Sequence, residues 1–124
     1  MIGVGLIGYG YWGPNLARDF AEAEGARLVA VAALDDAKRA AAARRYPGIK
    51  TTPSFRELVD DHAVDAVAVV TPVASHYEIA RAALEAGKHV LIEKPIAAAA
   101  EQAARLIDLA EKHRRVLMVD HTFV

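Results

Sequence analysis

The sequence predicts an α/β fold: a doubly wound, mostly parallel sheet that helices cover on both faces, giving three α/β/α layers. Two observations predict it. Short, continuously apolar runs alternate with amphipathic helical patterns along the chain, and strands without polar alternation are typical of a sheet buried on both faces. With 124 residues the chain has the size of one ordinary domain, and we expect residues 1–124 to form it.

The first half of the chain contains two strand–helix units. Each apolar run is followed by a helical pattern of apolar residues at three- and four-residue spacing. Pro14 suits the first turn of the first helix, where a missing N–H group costs nothing, and Gly25 stands where that helix would stop. The predicted elements are strands over residues 2–7 and 27–34, helices from 14, over 36–46 and over 55–61, and a connection over 51–54.

The second half repeats the pattern with three further strands. The third strong strand of the chain stops at Thr71-Pro72, and Gly87 stands where the following helix would end. The last helix has an apolar stripe that includes Leu106 and Ile107, opposite charged residues at four-residue spacing. The predicted elements are strands over residues 65–70, 89–92 and 116–119, and helices over 75–85 and 99–114.

Charge and composition exclude several classes of function. The chain has 15 basic and 16 acidic side chains, and its net charge of −1 gives it no general attraction for nucleic acid or an anionic membrane. It has no cysteine, which excludes disulfides, thiolate metal sites and thiol catalysis and fits a reducing compartment. No apolar run approaches the roughly 20 residues of a membrane-spanning helix. We therefore expect a soluble, cytoplasmic protein without a metal site.

The clearest motif is the glycine loop, the sequence GYGYWG that begins at Gly8. It lies between a predicted strand and a predicted helix. Gly8 then allows a tight turn, Gly10 lets the backbone approach a pyrophosphate, and Gly13 lets helix and strand pack closely. The N–H groups of Tyr11 and Trp12, at the helix start, would bind phosphate oxygens with the help of the helix dipole. The loop predicts a dinucleotide-binding Rossmann domain; an ordinary glycine-rich turn is the alternative.

Domains of this kind have an acidic residue about 20 residues after the loop, which binds the ribose hydroxyls of the adenosine. Here the second strand ends in Ala-Ala-Leu-Asp-Asp, and Asp35 is the candidate. No arginine or lysine precedes Lys38 at this strand end, so nothing obvious would neutralise a 2′-phosphate. The sequence therefore favours NAD as the cofactor, with NADP as the alternative.

Three further segments support a family resemblance. They are TPVASH from Thr71 to His76, AALEAGKHV from Ala82 to Val90, and EKP from Glu93 to Pro95. Together with the loop GYGYWGPN, they strongly resemble the N-terminal NAD(P)-binding domain of the glucose-fructose oxidoreductase / inositol dehydrogenase (Gfo/Idh/MocA) family. The similarity extends over the whole chain, and the joint match in this order is far more specific than any one segment.

The resemblance implies positions for the residues that follow the third and fourth predicted strands. Thr71, Pro72 and His76 would line the path of the cofactor. Glu93 and Pro95, with the lysine between them, would lie beside the nicotinamide at the carboxyl end of their strand, where open α/β sheets bind ligands. In this family the Lys-Pro bond is often cis.

The resemblance also implies a catalytic lysine, Lys94. Oxidising a secondary alcohol needs a positive hydrogen-bond donor near its oxygen, and a lysine there can also take part in proton transfer. The alternative for Lys94 is a surface charge before a turn proline. His121 follows the last predicted strand, so it could approach the nicotinamide or the substrate, or be a plain polar strand end. The implied reaction is hydride transfer between a nicotinamide cofactor and a secondary alcohol of a sugar, nucleotide sugar or cyclitol. The loop and the ending LMVDHTF look most like members that act on UDP-N-acetyl sugars.

This chain departs from the family pattern in two ways. Ala33 stands where the family often has an acidic residue at the end of the second strand. Family members are also usually more than twice as long, and continue into an α/β substrate domain that faces the nicotinamide and mediates homo-oligomers; that domain is absent here. We therefore expect a cofactor-binding domain that does not turn over substrate alone. A stand-alone dinucleotide-binding or assembly module without catalysis is the alternative.

Overall fold

The structure is a computed structural model that describes residues 1–10 and 13–120. Strands and helices alternate along these ranges, with one additional 3₁₀ turn at Val73–Ser75. No helix within the described ranges is long and apolar enough to cross a membrane. The elements are β1 (Ile2–Ile7), α1 (Gly13–Glu22), β2 (Ala26–Ala32), α2 (Asp36–Arg45), β3 (Lys50–Thr52), α3 (Phe55–Val59), β4 (Ala66–Val69), α4 (His76–Glu85), β5 (His89–Glu93), α5 (Ala100–His113) and β6 (Leu117–Asp120).

The described strands form one sheet in the order β3-β2-β1-β4-β5-β6, and each neighbouring pair is parallel. The chain moves outward from β1 through β2 to β3, then crosses to the other side of β1 and moves outward again through β4, β5 and β6. The predicted α/β, doubly wound fold is confirmed. The direction reverses between β1 and β4, and ligands of open α/β sheets bind at the carboxyl ends of the strands at such a point.

Two apolar clusters cover the two faces of the sheet and make the predicted three layers. Successive residues of β1 point to opposite faces, as in any strand. Leu6 packs in the cluster that contains Ala17 of α1, whereas Ile7 packs in the cluster that contains Leu84 of α4 and Leu106 of α5. The helices α1 and α2 therefore cover one face, and α3, α4 and α5 cover the other.

The structure adds one strand to the predicted set. The sequence predicts only a connection over residues 51–54, whereas Lys50–Thr52 forms β3 and pairs with Ala30–Ala32 at the edge of the sheet. The prediction is wrong here because all three residues of β3 are polar or charged, so no apolar run marks the strand. A short edge strand tolerates this composition, since only Thr52 is buried.

Candidate functional site

The three glycines of the glycine loop differ in what a side chain would meet at each position. Gly8 has a φ of +100°, and a Cβ there would lie 2.9 Å from the carbonyl oxygen of Val70. A Cβ at Gly13 would lie 3.0 Å from the carbonyl oxygen of Gly8. A Cβ at Gly10, in contrast, would meet no atom of the described residues beyond its chain neighbours nearer than the Nζ of Lys38 at 3.9 Å. The fold therefore needs Gly8 and Gly13 for close packing, while the backbone at Gly10 faces open space.

This open space is part of a cavity of about 770 Å³ at the carboxyl ends of β1, β2 and β4. The volume falls within the range of roughly 300–1,000 Å³ that is typical of small-molecule sites, and the walls are mostly apolar, as in such sites. The described lining residues are Ile7, Gly8, Tyr9, Gly10, Ala32, Ala33, Leu34, Asp35, Lys38, Pro53, Phe55, Val70, Thr71, Pro72, Ala74, Ser75, Glu78, Ile79 and Glu93.

The segment after β2 forms one wall of the cavity. The strand ends at Ala32, two residues before the predicted end, and the N–H group of Ala33 donates the last sheet bond, to Thr52, at 3.0 Å. Leu34 is 89% exposed and lines the cavity. The predicted strand is too long because apolar residues continue past the sheet to make this wall, and periodicity cannot distinguish a cavity wall from a buried strand.

Asp35 lines the cavity and also caps α2. Its Oδ1 accepts hydrogen bonds from the backbone N–H groups of Ala37 at 2.8 Å and Lys38 at 3.4 Å, so the carboxylate satisfies two donors at the helix start. The contact with ribose hydroxyls that the sequence predicts for Asp35 stays a prediction. The structure places the residue where such a contact is possible, with one carboxylate oxygen already engaged.

The segment after β4 forms the opposite wall. Thr71 and Pro72 both line the cavity, together with Ser75 from the 3₁₀ turn. The Ser75 hydroxyl lies 2.7 Å from Thr71 Oγ1 and 2.7 Å from the carbonyl oxygen of Pro72. These contacts fix the turn that leads into α4, and they hold a hydroxyl pair at the cavity wall.

His76 is buried next to this wall rather than in it. The residue is 2% exposed and is not among the described residues that line the cavity. Its Nε2 lies 2.8 Å from the carbonyl oxygen of Thr71, and its Nδ1 lies 2.8 Å from the carbonyl oxygen of Pro95. The ring thus joins the segment after β4 to the segment after β5. Any effect of His76 on a ligand passes through the two backbone segments that it holds.

We expect the change His76→Leu to lower the free energy of unfolding by about 2–4 kcal/mol. Leucine fills much of the ring's volume but donates no hydrogen bond, so the carbonyl oxygen that accepts the ring N–H, that of Thr71 or of Pro95, would lose its partner inside the fold. Urea unfolding measures the loss. The exposed His62 offers the control, because His62→Leu should change the stability by no more than about 0.5 kcal/mol. Equal effects of the two changes would contradict a bridging role for His76.

The EKP segment, Glu93 to Pro95, lies at the carboxyl end of β5, at the edge of the sheet where the cavity opens. Glu93 ends β5 and lines the cavity. The Lys94–Pro95 peptide bond is cis, as the resemblance implies. Lys94 and Pro95 are exposed and are not among the described residues that line the cavity. Lys94 therefore lies beside the mouth of the cavity, one residue from its wall.

Charged side chains enter the cavity lining from both sides. The Oε1 atom of Glu78 lies 3.5 Å from the Nη2 atom of Arg56 in α3.

Burial raises the pKa of the Tyr9 phenol, and the nearby Tyr46 adds to this shift, so Tyr9 remains a neutral hydrogen-bonding group near pH 7. Among the described residues, no group of three or more His, Asp or Glu side chains is placed to hold a metal ion. The charged lining residues are Asp35, Lys38, Glu78 and Glu93.

The sequence and the structure differ in which residues they assign to the site. Tyr11, Trp12 and His121 lie outside the described residues, so their predicted roles stay predictions. Phe55 and Ile79 line the cavity, and both also pack in the apolar cluster that α3, α4 and α5 make with the sheet. Several further lining residues have no predicted role as cofactor-binding residues, among them Lys38, Pro53, Ala74, Ser75 and Glu78. Lys38, Ala74, Ser75 and Glu78 could have been found from their place just after a predicted strand or in the first turns of the next helix. Pro53 follows β3, for which the sequence has no signal.

Comparison with known proteins gives a consistent result. Residues 2–121 match a family model, GFO_IDH_MocA, described as an oxidoreductase family with an NAD-binding Rossmann fold. The chain is 36% identical over 116 residues to inositol 2-dehydrogenase 2 of Saccharopolyspora erythraea, covering 93% of this chain and 34% of that protein. It is also 36% identical over 117 residues to UDP-N-acetylglucosamine 3-dehydrogenase of Acidithiobacillus ferrooxidans, covering 94% of this chain and 36% of that protein. The chain spans about a third of the length of these relatives.

A solved structure supports the same assignment of the fold. The crystal structure of biliverdin reductase from Synechocystis sp. PCC 6803, in complex with biliverdin and NADP⁺, superposes on this chain with a TM-score of 0.92 at 32% identity. The match covers 97% of this chain and 38% of that one. The sheet described above therefore has the fold of a Rossmann oxidoreductase domain.

Proposed function

This chain belongs to the Gfo/Idh/MocA oxidoreductase family, in the part that forms the NAD-binding Rossmann fold, and from this premise we propose that it binds a nicotinamide dinucleotide for hydride transfer to or from a secondary alcohol. The observation that supports the proposal most directly is the cavity at the glycine loop. Its open side is the backbone of Gly10, where a Cβ would enter the cavity; apart from the chain neighbours of Gly10, the nearest atom of the described residues is Lys38 Nζ at 3.9 Å.

The residues present fit a dinucleotide. The glycine loop leads directly into α1, whose first N–H groups and positive dipole end suit a pyrophosphate. The segment after β2 would hold the adenosine ribose, and the apolar wall that includes Leu34 and Phe55 suits a flat adenine ring. Thr71 and Pro72 would lie along the cofactor between its two ends. The bound nicotinamide would supply a carbon that gives or accepts hydride.

We assign the acid–base work to Lys94. A secondary alcohol loses a proton from its oxygen as it loses hydride from its carbon, so a group must receive that proton and stabilise charge on the oxygen. Lys94 follows β5 at the edge of the sheet where the cavity opens, and its side chain is exposed to whatever binds there. In the oxidation direction its neutral amine would accept the alcohol proton, and in the reduction direction its ammonium would return the proton. His121 is the second candidate for this work.

We propose a sugar, nucleotide sugar or cyclitol as the substrate class. Two relatives at 36% identity are named as dehydrogenases of inositol and of UDP-N-acetylglucosamine, and both substrates are polyhydroxylated rings with secondary alcohols. The longer length of these relatives fits the expectation that a second domain forms the rest of the substrate pocket. The cytoplasmic location expected from the composition and the homo-oligomeric state that the resemblance implies stay predictions.

The proposal is tested first by calorimetric titration of the 124-residue chain with NADH and NADPH. We expect saturable binding of at least one of them, with one site per chain. Nicotinamide mononucleotide is the matched control ligand, because it lacks the adenosine half and should bind far more weakly. If neither dinucleotide binds better than the mononucleotide, the proposed function is wrong.

A further inference from the structure

The turn between β2 and α2 has no carboxylate directly at the strand end with both oxygens free for the ribose hydroxyls, the arrangement that would favour NAD. The first residue after the strand is Ala33, whose side chain has no polar group to offer a ribose hydroxyl. The next acidic residue, Asp35, uses its Oδ1 to cap α2. Asp36 is exposed and pairs with Arg39. None of these carboxylates is both next to the strand end and free on both oxygens.

The same turn is held in a fixed shape. The Nη1 atom of Arg39 donates hydrogen bonds to the carbonyl oxygens of Ala33, at 2.6 Å, and Leu34, at 3.0 Å. These two carbonyl oxygens lie directly after the last strand residue, where the chain turns toward α2. Because the guanidinium group is occupied in this way, Arg39 shapes the turn and leaves the lysine before it as the cation that faces the cavity.

Lys38 lies in the first turn of α2, and its side chain extends back over the glycine loop. Its Nζ is 3.9 Å from the position of a Cβ at Gly10, and the residue lines the cavity. Within residues 1–10 and 13–120, no hydrogen bond or ion pair engages this ammonium group. An unpaired cation therefore stands between the strand end that would hold the adenosine ribose and the loop that would hold the pyrophosphate.

We propose that Lys38 binds the 2′-phosphate of NADP(H), and that this cavity selects the phosphorylated dinucleotide. The inference rests on the proposed function and refines it. The pyrophosphate already has its donors at the start of α1, whereas a 2′-phosphate on the ribose has no other cation among the described lining residues. An ammonium and a phosphate form a strong, charge-assisted hydrogen bond. Asp35 is the opposing charge in this turn, and Lys38 offsets it.

The test uses two isomeric probes, 2′,5′-ADP and 3′,5′-ADP, which have the same charge and differ only in which ribose oxygen bears the second phosphate. We expect the unmodified chain to bind 2′,5′-ADP more tightly. Lys38→Ala should weaken the binding of 2′,5′-ADP and of NADPH by about tenfold or more and should change the affinity for NADH by less than about threefold. Lys112→Ala, which removes an exposed lysine of α5 on the other face of the sheet, is the matched control and should change none of these.

A second variant changes the opposing charge. Asp35→Asn keeps an oxygen that can cap α2 and removes the negative charge, so NADPH should bind more tightly and the preference for NADPH over NADH should increase. Equal losses of affinity for NADH and NADPH in Lys38→Ala would mean that the lysine contacts the pyrophosphate, and would overturn the inference. Equal affinities of the unmodified chain for the two isomeric probes would also overturn it. Absence of any dinucleotide binding to the unmodified chain would instead overturn the proposed function, and the inference with it.

Discussion

Gly10→Ala is expected to fold like the unmodified chain and to lose dinucleotide binding by roughly a hundredfold or more. Within residues 1–10 and 13–120, and apart from the chain neighbours of Gly10, the added Cβ meets no atom nearer than Lys38 Nζ at 3.9 Å. The φ of Gly10 is also outside the left-handed region, so this part of the fold has room for a methyl group. A pyrophosphate has no such room. Losing two charge-assisted hydrogen bonds to the loop, at about 1.5–3 kcal/mol each, corresponds to at least this factor in Kd.

The measurement is a titration with NADH or NADPH, followed by calorimetry or by energy transfer from Trp12, the chain's single tryptophan. Thermal unfolding of the variant shows whether the fold is intact. Gly13→Ala is the informative contrast, because its Cβ would lie 3.0 Å from the carbonyl oxygen of Gly8; we expect it to lose stability, by about 1 kcal/mol or more. A Gly10→Ala chain that binds with unchanged Kd would show that the cofactor does not approach this backbone.

The fold was predictable because it depends on patterns that are local in sequence. Apolar runs and three- and four-residue spacing give ten of the eleven strands and helices nearly at their observed positions, and alternation of strand and helix gives the parallel sheet. The missing element, β3, has the sequence Lys-Thr-Thr and is stabilised by pairing with β2 and not by its own composition. Tertiary pairing of this kind leaves no periodic signal.

The site was predictable only in part, because its geometry depends on contacts between distant segments. His76 belongs to a motif that suggests contact with the cofactor, yet its ring is engaged with the backbone of Thr71 and Pro95. Lys38 is separated from the glycine loop by an entire strand–helix unit, and it reaches Gly10 only because α2 starts with the particular turn that Asp35 and Arg39 hold. In both cases the direction of a side chain decides the role, and spacing along the chain does not specify that direction.

Lys94→Ala is expected to lower kcat by about 10²–10⁴-fold in the complete oxidoreductase, with little change in cofactor affinity. The expected rate loss follows from the chemistry: without the Lys94 amine to accept it, the alcohol proton passes to water, and no ammonium is then present to stabilise charge on the oxygen. Cofactor affinity should be preserved because Lys94 is exposed beside the cavity and is not among its described lining residues.

Two measurements distinguish a catalytic lysine from a merely structural one. NADH and NADPH titrations should give Kd values for Lys94→Ala within about threefold of the unmodified protein, while steady-state turnover of the alcohol falls. Lys94→Arg is the sharper variant, because arginine keeps the positive charge but does not release a proton near neutral pH. Partial recovery of turnover with arginine would assign Lys94 to charge stabilisation, and no recovery would assign it to proton transfer. A Lys94→Ala enzyme with unchanged kcat would remove the lysine from the mechanism and leave His121 as the residue to test.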